Sequence, residues 1–164
     1  LVAETPAWVR DYGEEINTFI LPFKTWIEEG VKLVGQSWGG SPPFNKPWQT
    51  ITRLHRGVVH QPDERIDRVH ALKMWTSWAS EYVLKEDELG TLEVGKFADL
   101  VVLDRDYFTI PVNDILKVRT PLTMVGGKII QLQESLANAF GVDQVGPIYN
   151  FSDEDVTARY LGDN

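Results

Sequence analysis

Three histidines and no cysteine leave this 164-residue chain few side chains from which to build chemistry. His55 and His60 stand five apart with Arg56 and Val58–Val59 between them, and His70 falls on the polar side of a helix. Zinc-type sites need several nitrogen, oxygen or sulfur ligands brought together. These histidines are therefore expected at the surface or as helix caps, and no metal ligand is assigned. The lack of cysteine removes disulfides, thiolate catalysis and Cys-type zinc together. Ser37 has no visible His/acid pair, so no catalytic nucleophile is assigned either. Binding chemistry remains. Ser37 and Trp38 end a strand-like run, and Asn45 and Trp48 follow the next loop. An indole offers a flat face to a planar substrate, and these four are the candidate substrate-pocket residues. No aspartate or glutamate occurs from Gly30 to Pro62, so that stretch holds no carboxylate to accept a proton.

To place these residues the chain must fold a helix, a strand and a second helix around them. Phe23, Trp26, Ile27 and Val31 recur at helical spacing, and Gly30 stands where such a helix would stop. KLVGQS, residues 32–37, is expected as a short buried strand. GGSPPFNKP must be irregular, because prolines remove donors and restrict their predecessors. Trp48, Ile51, Thr52 and Leu54 point to a helix resuming after Pro47. A longer helix is expected over Asp67–Val83, N-capped by Asp67, with Val69, Leu72, Trp75, Ala79 and Tyr82 on one face. This order is the grammar of an α/β unit.

Farther along the period changes. FADLVVLD is a strand-length apolar run, and TPLTMVGGKIIQL makes two strands around a two-residue turn at Gly126–Gly127. IPVNDILK between them is a short helical excursion. ESLANAF is expected as a short helix, and FSDEDVTARYLGDN as a solvated acidic tail.

Composition narrows the partners. Hydrophobic residues make up 43% and charged residues 24%, the balance of a soluble globular protein. A net charge of −8 without a basic stripe repels phosphate backbones, so nucleic acid is not expected. No apolar run approaches the ~18 residues of a bilayer span, so no membrane is expected. Six tryptophans imply a well-filled core or a pocket wall. The chain opens LVAETPAWVRDYGEE, with neither Met nor a basic leader before an apolar stretch, as expected of a processed or truncated product. The lack of cysteine fits a cytoplasmic or an exported protein equally.

The run PDERIDRVHALKMWT at Pro62–Thr76 leads into LGTLEVGKFADLVVLDRDYFTIPVNDILKVRTPLTMVGGKII. Gly90, Thr91, Leu92, Gly95, Lys96, Ala98, Asp99 and Leu100, followed by Val125, Gly126, Gly127 and Lys128, resemble the C-terminal end of a metal-dependent amidohydrolase. The likeness is to amidohydrolase family 3, the N-substituted formamide deformylase-like group. It covers roughly residues 20–131. LPFKTWIEEGVKLVGQS resembles the helix and eighth strand of that family's barrel, and LVAETP its seventh strand.

The resemblance implies an α/β fold with two parts. Residues 1–88 would hold the last strands and helices of a TIM-type (β/α)8 barrel, and 89–132 the C-terminal part of a small β-sandwich. Residues 133–164 would be a peripheral extension. Such a barrel needs about 250 residues, so the missing N-terminal part of the same protein is the implied partner, with self-association the alternative. The implied function is hydrolysis of a small molecule's non-peptide carbon–nitrogen bond, with a divalent metal, zinc in most members, whose ligands lie on strands outside this chain. The family ends its eighth strand in Gly-Ser-Asp, and the aspartate accepts the proton of the attacking water. Here Ser37 falls on the serine and Trp38 on the aspartate. An indole only donates, so lyase-type or hydration chemistry, or a non-catalytic binding role, stays open. Gly90 and Gly95 suit turn positions, and Lys96 and Asp99 flank a strand entry, so this pattern is expected to be structural.

Overall fold

The computed structural model describes residues 5–13, 21–37, 42–55, 57–147 and 151–161. Helix α1 (Thr5–Tyr12) follows Leu1–Glu4, which lie outside the described residues together with most of the expected seventh strand. Helix α2 (Phe23–Glu28) is the one marked by Phe23, Trp26 and Ile27. It ends at Gly30, whose N–H donates to Ile27 O at 3.0 Å while Val31 N–H donates to Trp26 O at 2.8 Å. These are the two bonds of a Schellman ending. Pro22 supplies α2 with no side-chain cap. Instead Glu64, in the 3-10 turn Pro62–Glu64, accepts from the Thr25 N–H (3.0 Å) and hydroxyl (2.6 Å).

Residues 31–37, expected as a buried strand, run without a ladder and are mostly exposed. A strand is satisfied by a neighbouring strand, and none lies beside this segment among the described residues. Gly35 N–H donates instead to Met74 O at 2.9 Å. Helix α3 (Asn45–Thr52) starts two residues ahead of Pro47. A first turn tolerates proline because the N–H it lacks would be unpaired there. The helix ends at Arg53 in a left-handed conformation (φ 58°) and passes into a minimal hairpin, β1 (Leu54–His55) against β2 (Val58–Val59).

The helix expected over Asp67–Val83 is split into α4 (Arg68–Lys73) and α5 (Ser77–Tyr82). Trp75 and Thr76 donate to carbonyls only three residues back, Leu72 O and Lys73 O, and the Thr76 hydroxyl also donates to Leu72 O at 3.0 Å. That side chain competes for the acceptor of the regular ladder and tightens the turn. The single apolar face is lost with it: Leu72 and Trp75 stay half-buried, while Val69 and Tyr82 are exposed. Asp67 is the N-cap that the sequence marks, accepting from His70 N–H at 2.8 Å.

β3 (Leu100–Val102), β4 (Leu122–Val125) and β5 (Lys128–Leu132) form an antiparallel sheet in that order. Gly126 and Gly127 turn the β4–β5 hairpin at φ 55° and 77°, two positive angles that a type I′ turn demands. IPVNDILK supplies a 3-10 helix, Val112–Lys117. Helix α6 (Glu134–Phe140) covers one sheet face, setting Leu136 and Ala137 with Leu100, Leu122, Met124 and Leu132. These short helices and small sheets make an α/β chain. No described helix is long and apolar enough to cross a membrane.

The segment expected as a solvated acidic tail folds instead into α7 (Asp153–Leu161). Its acidic residues Asp153, Glu154 and Asp155 occupy the first turn, where the helix dipole favours negative charge. Val156 and Tyr160, four apart and so on one face, point the other way. Val156 is buried with Phe44, Trp48, Tyr107, Ile115, Leu116 and Val118, and Phe151, Tyr160 and Leu161 pack against that cluster. Acidic composition hid an inward apolar face. Val156→Ala is expected to cost about 2 kcal/mol from two buried carbon groups plus a residual cavity. Urea unfolding measures it, and a change under ~0.5 kcal/mol, the surface range, would return α7 to the status of a tail.

Candidate functional site

The structure places two of the four candidate pocket residues together. Asn45 and Trp48 stand one turn apart on α3, 2% and 0% exposed. The Trp48 indole N–H donates to Asn113 Oδ1 at 3.3 Å, and its ring meets Tyr160 edge-on with centroids 6.4 Å apart. The 3-10 helix 112–117 and α7 therefore close over this indole. Asn45 Oδ1 is buried with no hydrogen-bond partner, an open acceptor of the kind that costs about 1–3 kcal/mol until a donor arrives. Ser37 is exposed at the end of the 31–37 segment. Trp38 lies outside the described residues.

Periodicity along 67–83 did not disclose what Trp75 does. Its indole lies against the backbone of Gly35, two residues before Ser37, so closely that a Cβ on Gly35 would stand 2.2 Å from Cε2. The contact joins residues forty apart, and no local pattern encodes it.

The three histidines sit in different surroundings. His55 sits half-buried in β1. His70 Nδ1 lies 2.7 Å from Asp67 Oδ2, the carboxylate that caps α4. Partial burial would raise the Asp67 pKa, but the His70 N–H and ring outweigh it and hold the group below the usual carboxylate range. Glu64 behaves alike: burial raises it, and its bonds to Thr25 more than reverse that. His60 Nε2 is buried without a partner. Burial first, and the nearby Arg53 charge second, lower the pKa of this imidazole. Among the described residues no group of three or more His, Asp or Glu side chains comes together to hold a metal.

The run GTLEVGKFADLVVLD closes on itself. Lys96 Nζ donates to Glu86 O (2.6 Å) and Thr91 Oγ1 (2.7 Å), stitching the loop before β3. Asp99 Oδ1 accepts from the Gly126 N–H at 2.6 Å, and Gly127 N–H donates to Ala98 O at 3.1 Å. The strand entry thus pins the VGGK turn, which explains why the two motifs occur together. Gly90 and Gly95 take φ 91° and 97°. Every one of these contacts is structural, as the sequence implies.

Residues 1–131 match the amidohydrolase family. Over 124 residues the chain is 27% identical to an N-substituted formamide deformylase of Arthrobacter pascens, covering 73% of this chain and 22% of that protein. Over 106 residues it is 30% identical to a 5-methylthioadenosine/S-adenosylhomocysteine deaminase of Thermodesulfovibrio yellowstonii, covering 62% and 24%. The chain spans about a quarter of the length of these curated relatives.

Two outcomes are expected of the geometry. Asp99→Ala frees the VGGK turn and costs about 1 kcal/mol, one hydrogen bond's net worth, read from the urea midpoint. For His60 the folded pKa lies below the ordinary value of about 6.5, so the unfolded chain binds more protons in the window beneath it. Stability is full above that value and declines as pH falls from 7 toward 5. His60→Leu is expected to flatten this part of the profile, whereas an unchanged slope would place the titrating group elsewhere. Glu64 and Asp67, whose folded pKa values are depressed, add a separate loss at lower pH.

Proposed function

The chain belongs to the amidohydrolase family, and from that premise we propose that it is the C-terminal part of a hydrolase of non-peptide carbon–nitrogen bonds, amide or formamide in type. The observation that carries this is the family match over residues 1–131, supported by two relatives named as a deformylase and a deaminase. In this reading residues 1–88 complete a (β/α)8 barrel, 89–132 complete a small β-sandwich, and 133–164 extend from it. In the same reading Ser37, Trp38, Asn45 and Trp48 are the substrate-pocket residues.

The described residues do not fit a divalent metal, so the ligands of the family's zinc are assigned to the remaining polypeptide. In the hydrolysis itself, water oxygen adds to the carbonyl carbon, the carbon–nitrogen bond breaks, and a proton passes to the leaving amine. With Trp38 at the expected aspartate, residues 30–62 hold no carboxylate to accept the water's proton. That absence favours two alternatives: the same fold performing a lyase or hydration step, or binding without catalysis.

Exposed apolar side chains support an incomplete unit. Leu84, Leu92 and Val94 are each at least three-quarters exposed, and Tyr82, Val83 and Phe97 add to them. In this reading these side chains are covered by the N-terminal part of the protein or by a second copy.

The test is release of the free amine from N-substituted formamides and other N-substituted amides by the complete protein. No release from the folded protein would overturn the hydrolase reading in favour of the non-hydrolytic alternatives. In the active protein, Trp38→Ala is expected to raise KM roughly tenfold, about 1.4 kcal/mol of binding, with little change in Tm. Unchanged kinetics with a large fall in Tm would make Trp38 a packing residue under the following loop.

A further inference from the structure

Gly35 is a glycine for reasons of room. A Cβ built on it would stand 2.2 Å from both Cε2 and Cζ2 of Trp75 and 2.5 Å from Cη2, where carbon atoms ordinarily meet at ~3.5–4.0 Å. The backbone therefore lies directly against the indole. The residue beside that indole provides a second hold, since Met74 O accepts from the Gly35 N–H at 2.9 Å. Both holds come from the turn that splits α4 from α5. In an unbroken helix the Met74 carbonyl would accept from residue 78, and the break frees it for Gly35.

The anchor is firm on its far side. Met74 is buried with Phe23, Ile66 and Ala71, and Trp75 packs against that cluster. The held segment has no ladder; beside the Gly35 contacts it is tied by Leu33, which packs on the same cluster, and by the Lys32–Glu81 ion pair. A ring face and one hydrogen bond thus fix its backbone two residues before Ser37.

We propose that Trp75 is a positioning residue, setting where the end of the 31–37 segment delivers Ser37 to the substrate pocket. This rests on the reading of Ser37 as a pocket residue in a carbon–nitrogen hydrolase. Trp75 does not touch the reacting atoms; it acts through Gly35.

The test uses the complete protein with Gly35→Ala, Trp75→Ala, their double variant and Trp75→Phe, assayed with an N-substituted formamide. Each alanine variant is expected to lower kcat roughly 10- to 100-fold, as small misplacements near a site do, with KM little changed; Trp75→Ala also lowers Tm, because its ring leaves the cluster around Met74. The double variant is expected to be no worse than the more impaired single one, because one contact carries both effects. Trp75→Phe, which keeps a ring face, is expected to retain most of kcat. Multiplying losses in the double variant would overturn the proposal, as would a lowered Tm with unchanged kcat.

Amide hydrogen exchange over residues 31–37 gives an arm independent of activity. Wild-type protection at Gly35 that vanishes in Trp75→Ala supports the positioning role even if no formamide is cleaved, in which case the functional reading fails alone. Equal exchange in both proteins would overturn the positioning role whatever the activity.

Discussion

A backbone carbonyl outside a helix or sheet still needs a donor, and that requirement organises this chain. Its helices and strands are short, so loops carry much of the backbone, and arginine forks supply many of the donors. Arg53 donates to Leu21 O (3.3 Å) and His60 O (3.1 Å), Arg68 to Tyr107 O and Ile110 O (2.6 Å each), and Arg119 to Lys117 O (2.7 Å) and Phe151 O (2.5 Å). Each fork spans segments distant in sequence, using the fixed multi-donor geometry that lysine lacks. Burial exacts a cost where no carboxylate is in direct contact. The guanidinium of Arg53 is fully buried, and desolvation pulls its pKa down to about 10 despite the charge of Glu64. It stays protonated at neutral pH, helped by the Phe23 ring 5.2 Å beneath it.

The core around Trp48 follows from these ties. Arg68 holds the loop that carries Tyr107, and the Tyr107 hydroxyl donates back to Arg68 O at 3.1 Å. Burial pushes that phenol up to about 12, so it remains a donor across the working pH range. Arg119 binds Phe151 O and Asp153 at the start of α7, which brings Val156 and Tyr160 down beside Trp48. Polar forks set the positions; apolar burial then supplies most of the stabilisation. The order matters, because the apolar residues come from α3, the 107–118 region and α7, which share no regular element.

Local patterns were legible and distant ones were not. The α2 spacing, the Asp67 cap, the Gly126–Gly127 turn and the 3-10 helix at 112–117 all rest on interactions within a few residues, and each stands where the sequence marks it. The break at Met74–Thr76 was hidden, because helical periodicity continues through it and only the Thr76 hydroxyl departs from it. The 31–37 segment has a strand's composition but no neighbour to pair with. α7 was masked by its acidic first turn. At the candidate site, Asn45, Trp48 and Ser37 could be named from the sequence, but Trp48 is buried beneath Val156 and Tyr160 of α7, and the Gly35–Trp75 contact depends on the break. Neither contact leaves a local trace.

The same division separates family from reaction. Lys96 finds its partners at Glu86 and Thr91, and Asp99 finds its partner at Gly126, so the signature is satisfied inside this chain. Among the residues named for chemistry, Trp48 is likewise paired, its indole N–H with Asn113. Ser37 ends a segment without a ladder, and Asn45 presents a buried oxygen with nothing to accept from. Histidines that could serve a metal are occupied with Asp67 or held near Arg53. Identity and chemistry are thus written in sets of contacts that do not overlap, which is why a strong family match coexists with an unassigned proton acceptor.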